Sequence, residues 1–380
     1  MFNPEFFLTI KDKINFLQLG RYSGRAESSF RNLFSKRFDF FNFNKTLIEQ
    51  YVQGKKAIAF DPSYINKVGK HTDGVGYFWS GVAGRAKWGL ELGGLAVLDI
   101  GRHTAFHLNA IQTVDVKDDE SLLEFYSRKL LEHKDELLTL SRYLIVDAYF
   151  SKDTFVNPLC DKGFDIISRL RCDANLNYLY QGQQKGRGRP KLYDGKVEFA
   201  KLSDSHAICV SNQDNVKIYS LKAYSIALKK TLNVVIVYTA RSKKGKITTW
   251  QHQIYFSTDL DQSWQAILQH YKARFQIEFL YRDAKQYTGL NDCQARDKNK
   301  LDFHWNMSLT ASNVAKVTYW LPHKDASPDM SVPFSMADIK TRLNNELMVN
   351  RFISMFAINP KLKINRDKIA QFLDFGRRAA

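Results

Sequence analysis

Between Tyr271 and Lys285 the chain reads YKARFQIEFLYRDAK, with Glu278 set among an aromatic and two cations at helical spacing. The stretch is rich in helix formers and contains neither Gly nor Pro, which predicts a helix. At about 100° per residue, Tyr271, Arg274, Glu278 and Lys285 fall within roughly 60° of one another around the axis. Phe275, Ile277 and Phe279 are expected behind that face, holding the helix on a core. A lone acid between cations suits a metal-assisted site acting on a polyanion. The same residues also suit a solvated helix face on which Arg274 and Glu278 form an i,i+4 pair.

Two further carboxylates stand where apolar segments end. KAIAFDPS (56–63) predicts a strand running into an Asp-Pro turn, with Asp61 at its end. RYLIVDAYF (142–150) predicts a continuous apolar strand, buried on both faces and ending at Asp147. A single Asp at a strand end is usually a turn former, but open α/β sheets also place their sites at neighbouring strand ends. Gathering three carboxylates is costly without a cation, because like charges raise each other's pKa. Asp61, Asp147 and Glu278 together are therefore read as a cation site.

Phosphodiester cleavage needs an in-line nucleophile, a stabilised leaving oxygen and neutralised phosphate charge, which two metal ions about 3.5–4 Å apart supply. Mg²⁺ keeps several waters, so two or three carboxylates beside the phosphate suffice. His103 and His107 stand at HxxxH spacing, which would suit zinc on a helix. Their segment reads as strand, so zinc is the weaker option. No GxxxxGK[ST] loop is present, and ATP-driven action is not indicated.

The elements that would position these acids follow a recognisable order. WGLELGGLAVLDI (88–100) and RHTAFHLNAIQTV (102–114) read as paired strands, residues 121–141 as one amphipathic helix, and FDIISRLR (164–171) as another strand. Strand, strand pair, helix, strand, helix, strand is the order of a ribonuclease-H-like α/β core. From 175 to 258 the helical pattern gives way to an all-β insertion ahead of the Glu278 helix. Near its start, Arg187-Gly188-Arg189-Pro190-Lys191 is an extended cationic segment that fits either an A·T minor groove or a solvated loop. Residues 1–54 read as short basic helices, compatible with a helix-turn-helix-like DNA-binding unit or with an ordinary helical bundle. The expected division is therefore 1–54 helical, 55–174 first part of the core, 175–258 β-rich, 259–325 last part of the core, and 326–380 a helical basic region. Within the last of these, SPDMSVP reads as a linker, and Ser335 and Asp338 stand at capping-box spacing. Lys361, Lys363, Arg366, Lys368, Arg377 and Arg378 give the tail its charge.

Composition narrows the partner. Lys and Arg total 56 against 39 Asp and Glu, a formal +17 that favours nucleic acid. At 44% hydrophobic residues the chain is not disordered. No apolar run approaches the length of a bilayer span. The four cysteines show no CxxC spacing, so a reducing cytoplasm is expected. The first sixteen residues place acids and lysines where a signal peptide needs an apolar run, so export is not expected.

Tyr271-x2-Arg274-x3-Glu278-x6-Lys285 resembles the Y-R-E-K motif of DDE transposases from bacterial insertion sequences of the insertion-sequence-4 type. FDPS at Asp61 and LIVDAYFS at Asp147 resemble that family's first two acidic motifs, and a β-rich insertion before the third acid is a family trait. The resemblance covers about residues 55–320. It implies that Asp61, Asp147 and Glu278 bind divalent metal, with Mg²⁺ expected as two ions and Mn²⁺ as a substitute. It implies that Tyr271, Arg274 and Lys285 contact transposon-end phosphates. Double-stranded DNA, as terminal inverted repeats and target, is the implied partner, met by a dimer on paired ends in the bacterial cytoplasm near the nucleoid. The implied activity is cut-and-paste strand transfer. Its rivals are a non-catalytic DNA-binding regulator and a ribonuclease-H-fold nuclease without strand transfer.

Overall fold

Four short helices lead the chain: α1 (Glu5–Thr9), α2 (Phe16–Ser23), α3 (Glu27–Leu33) and α4 (Phe40–Tyr51). The computed structural model describes residues 4–243, 246–326, 333–356 and 362–377. The stretch PEFFLTIKDKINFLQLG (4–20) does not run as one helix to Gly20. Instead α2 starts at an Asn15 side-chain cap and ends on Gly24, whose φ of 71° suits glycine.

The first sheet segment contains β1 (Lys56–Ile65), β2 (Gly76–Ser80), β3 (Arg85–Asp99) and β4 (Thr104–Gln112). The expected single helix over 121–141 is two, α5 (Leu122–Leu131) and α6 (Lys134–Leu140), with Ser121 and Glu124 forming a capping box for the first. Next come β5 (Tyr143–Ile145), α7 (Asp153–Cys160) and β6 (Asp165–Leu170). The β-rich stretch supplies β7 (Leu176–Leu179), β8 (Tyr193–Lys196), β9 (Ile208–Gln213), β10 (Val216–Ser225), β11 (Lys230–Lys243) and β12 (Lys246–Ser257). KVEFAKL (196–202) is strand only at Lys196, the last residue of β8. Helices close the chain: α8 (Trp264–Ala273), α9 (Gln276–Tyr287), α10 (Lys298–Ala315), α11 (Leu321–Ala326), α12 (Met336–Phe356) and α13 (Lys363–Leu373). The Ser335 hydroxyl accepts from the Asp338 N–H, as the capping spacing predicts. Most of the expected linker SPDMSVP, together with Lys361 and Arg378, lies outside the described residues.

The protein is a mixed α/β fold built on one large mixed sheet. Its order is β2-β3-β1-β5-β6-β12-β11-β10-β7-β8, with β4 on β3 and β9 on β10. β1, β5 and β6 run parallel, whereas β12 joins β6 antiparallel, so the β-rich stretch continues the sheet of the acids. One face is covered by α5 and α7 through Phe125 and Phe155 against Phe60 and Phe150. The other is covered by α8, α9 and α10 through Ile267, Ile277, Leu280 and Trp305. A sheet covered on both faces explains the near-continuous apolar runs of β1 and β5. Each fully buried Phe or Leu in these layers contributes about 1.5–3 kcal/mol.

The N-terminal helices rest on the C-terminal ones, with Phe7, Leu8 and Phe34 packed among Phe303, Met307 and Leu343. Between α4, β4 and α10 lies a buried polar network. Asn313 accepts from the His107 N–H at 2.8 Å and donates to Asn44 at 2.9 Å and to the His107 carbonyl at 2.7 Å. No helix among the described residues is long and apolar enough to cross a membrane.

Candidate active site

A crevice opens where β1 and β5 part. Their ladder ends at Ala59↔Ile145, yet β1 continues against β3 as far as Ile65↔Leu90. Asp61 is therefore inside a strand, not at an Asp-Pro turn. Pro62 falls just past the last rung to β5, where a strand can lose a donor. On the β5 side the chain leaves the sheet after Ile145, and Asp147 caps a single 3₁₀ turn (Ala148–Phe150) by accepting from the Tyr149 N–H at 2.7 Å. Its backbone is pinned from β6, where the Ser168 hydroxyl donates to the Asp147 carbonyl at 2.9 Å.

The helix expected from Tyr271 to Lys285 is broken. α8 ends at Ala273 and α9 begins at Gln276. Between them the N–H groups of Phe275, Ile277 and Glu278 bond three residues back. Tyr271 belongs to α8, Arg274 is its C-cap, Glu278 lies in the first turn of α9, and Lys285 lies in its last. The break needs neither Gly nor Pro. α8 packs on β6, β11 and β12, and α9 on β1, β3 and β4. Phe275 and Phe279 were expected in the core but are exposed and touch each other edge-on, while Ile277, Leu280, Tyr281 and Ala284 are buried.

Arg274 joins α9 to β1. Its guanidinium bonds Glu278 at 2.9 Å and stands 3.5 Å from the Asp61 carboxylate. The i,i+4 pair that the sequence allowed is thus present, but it also reaches an acid on another element. The Asp61 carboxyl, 18% exposed, is pushed up to about 7. Burial is the main cause, Arg274 opposes it, and Asp147 and Glu278 add to it. The other two acids therefore both bear on the Asp61 carboxyl. Tyr271 lies edge-on to Tyr255 with centroids 5.0 Å apart, and the Arg274 guanidinium is 5.9 Å from its ring. The Lys285 ammonium donates to the Ser63 hydroxyl at 2.8 Å and the Tyr64 carbonyl at 3.0 Å, stitching α9 to β1. Burial lowers its pKa.

Tyr281 and Gly94 escaped the sequence reading. The Tyr281 hydroxyl donates to the Asp61 carbonyl at 2.5 Å. It reaches that atom only across Gly94, where an ideal Cβ would lie 1.8 Å from it. Next door, a Cβ on Gly93 would meet Phe60 and Tyr126 at 2.8 Å. The Gly93-Gly94 doublet inside a strand was the available signal for such close approach.

The donor set of Asp61, Asp147 and Glu278 is all carboxylate oxygen, which fits a hard cation such as Mg²⁺. As the side chains stand, Arg274 supplies the local positive charge, and its Nε is buried without a partner. Among the described residues no three His, Cys, Asp or Glu side chains are gathered closely enough to hold a metal. The zinc alternative fails on geometry. His107 is buried against Asn306, whereas His103 sits in the β3–β4 turn at φ 52°.

The cationic segment of the β-rich stretch lies away from this crevice, in the loop between β7 and β8. It is not extended, because Gln184 bonds both backbone groups of Lys191 and Gly188 turns at φ 95°. Arg187 and Arg189 are exposed on the closed loop, and Lys191 pairs with Asp194 at 3.0 Å.

Residues 103–314 match the transposase DDE domain family, and the chain belongs to it. The matched span includes Asp147 and Glu278 and begins after Asp61. Comparison with curated proteins gives no match. Among solved structures the chain is similar to the piggyBac transposase in a synaptic complex with hairpin DNA, at 13% identity and a TM-score of 0.39. The alignment covers 88% of this chain and 61% of that one, so the chain spans less than two thirds of its length.

Proposed function

We propose that the chain is a transposase of the insertion-sequence-4 type, with a ribonuclease-H-like core, that cleaves DNA at transposon ends and joins the freed 3′-hydroxyl to target DNA. The supporting observation is Arg274, which bonds Glu278 at 2.9 Å and stands 3.5 Å from the Asp61 carboxylate, in a chain of the transposase DDE family. Asp61, Asp147 and Glu278 would hold Mg²⁺, or Mn²⁺ in its place. The cation supplies charge neutralisation at the scissile phosphate and activation of water.

The chain's own residues do the positioning. β1 presents Asp61, with Tyr281 fixing its carbonyl. The turn after β5 presents Asp147 on a backbone held by Ser168. Arg274, a planar fork, is suited to leave Asp61 and Glu278 for a phosphate, whereas Lys285 offers a point charge. Tyr271 flanks that phosphate position. Arg187 and Arg189 on the closed loop, with Lys191, would add DNA contacts remote from the cut. The N-terminal helices of 1–54 and the basic 326–380 region extend the binding surface, and cutting both ends requires at least a dimer on DNA.

The test is strand cleavage and joining on DNA carrying the element's own ends, with Mg²⁺ or EDTA, for the wild type and Glu278→Gln. The expected result is a Mg²⁺-dependent joined product, lost in the variant while end binding persists. Full activity of Glu278→Gln would overturn the assignment. Binding without cleavage would leave a regulator, and nicking without joining a nuclease.

A further inference from the structure

The β2–β3 hairpin (76–90) carries rings that the fold does not bury. Tyr77, Trp79 and Trp88 are exposed, the first two at 73% and 64%. Tyr77 meets Trp88 edge-on with centroids 5.3 Å apart. The pairings Tyr77↔Trp88 and Trp79↔Ala86 place the three rings on one face. An unbroken register along β3 gives that face the parity of Gly94, which pairs with Asp61 and opens toward Tyr281. The rings therefore stand on the same side of the sheet as the Asp61 carboxylate. At about 3.3 Å per residue they lie about 20–26 Å from it along the strand.

Charge on the hairpin is of one sign. Residues 74–90 contain Arg85 and Lys87 and no acid; just before them Lys70 is exposed, as is Asp73, whose carboxylate accepts from the Lys298 N–H at 3.0 Å. Lys87 lies on the opposite face, 5.8 Å from the Tyr64 ring centroid. Flat rings on a hairpin whose own charges are Arg85 and Lys87 complement a phosphate backbone whose bases can stack. Paired bases offer a groove only their edges, so exposed rings of this kind are matched by unpaired bases.

We propose that the β2–β3 hairpin is a stacking platform for unpaired bases of the DNA strand leading to the cut. The assignment rests on Asp61, Asp147 and Glu278 being the cutting site. At about 3.4 Å per stacked nucleotide, the hairpin would take bases some six to eight nucleotides from that site.

The experiment uses the full chain in EDTA and compares a duplex bearing a single-stranded thymine tail with the same duplex blunt-ended. The wild type should bind the tailed probe about tenfold more tightly, the size of one base–aromatic stack, with quenching of tryptophan fluorescence. Tyr77→Ala/Trp79→Ala should lose that preference and keep blunt-duplex binding, whereas Trp79→Phe should retain it. An unchanged preference in the double variant would overturn the proposal. So would a variant that loses only self-association in sedimentation, which would make the face a contact between copies of the chain. Because binding is read without cleavage, failure here leaves the Glu278→Gln test of the cutting site intact. Activity of Glu278→Gln, conversely, would remove the cutting site without altering the tail preference.

Discussion

Gly94→Ala would drive a methyl group into Tyr281, and the consequence can be worked through. The new Cβ would lie 1.8 Å from the hydroxyl and 2.5 Å from the ring carbon that carries it. Tyr281 is buried, so the ring cannot swing into solvent. Overpacking of this kind costs about 1–3 kcal/mol, and the displaced hydroxyl forfeits its bond to the Asp61 carbonyl, worth about 0.5–1.5 kcal/mol. The expected destabilisation is about 2–4 kcal/mol in urea unfolding, with a parallel loss of cleavage because β1 shifts beneath Asp61. Tyr281→Leu vacates the contested volume, so in that background Gly94→Ala should cost at least about 1 kcal/mol less. Additive costs across the four proteins would refute the idea that Gly94 exists to admit Tyr281.

The other predictions concern charge and buried polarity. The Asp61 carboxyl sits at about 7 against an ordinary 3.8, so the folded state retains its proton longer than the unfolded chain. In metal-free protein its stabilising contribution should be present at low pH and be lost between about pH 4 and pH 7, at most about 4 kcal/mol for three units. Urea midpoints at pH 5 and pH 8 should show this slope, and Asp61→Asn should flatten it. Mg²⁺ should restore stability at pH 8 and do little at pH 5. Asn313→Leu would strip partners from the buried Asn44 and His107 groups, at about 1–3 kcal/mol for each group left unpaired. A loss below about 1 kcal/mol on unfolding would contradict that role.

The elements that carry the candidate site residues were partly legible because they have local signatures. The apolar runs before Asp61 and Asp147 exist because β1 and β5 are covered on both faces, and the composition around Glu278 marked helix on either side of a break it did not show. What escaped depends on partners distant in sequence. β1 continues beyond Asp61 because β3 keeps pairing with it, which overrides the turn tendency of Asp-Pro. At Arg274 the ladder tightens between α8, seated on β6, β11 and β12, and α9, seated on β1, β3 and β4, and the intervening residues show no breaker. Phe275 and Phe279 each stand about 160° around the helix from Ile277, so the face that buries Ile277 leaves both rings outside. Tyr281 was invisible because its purpose lies across Gly94, a contact that no periodicity encodes.

The break between α8 and α9 also determines which part of the sheet Arg274 answers to. α8 is seated on β6, β11 and β12, so any tilt of the long β11–β12 ribbon is carried along α8 to its last residue. Glu278 and Asp61, by contrast, are anchored to α9 and β1 and would stay still. The guanidinium is then a coupling pin between an arm and a fixed bed. A shift of α8 relative to α9 would therefore move the guanidinium against Asp61 and Glu278.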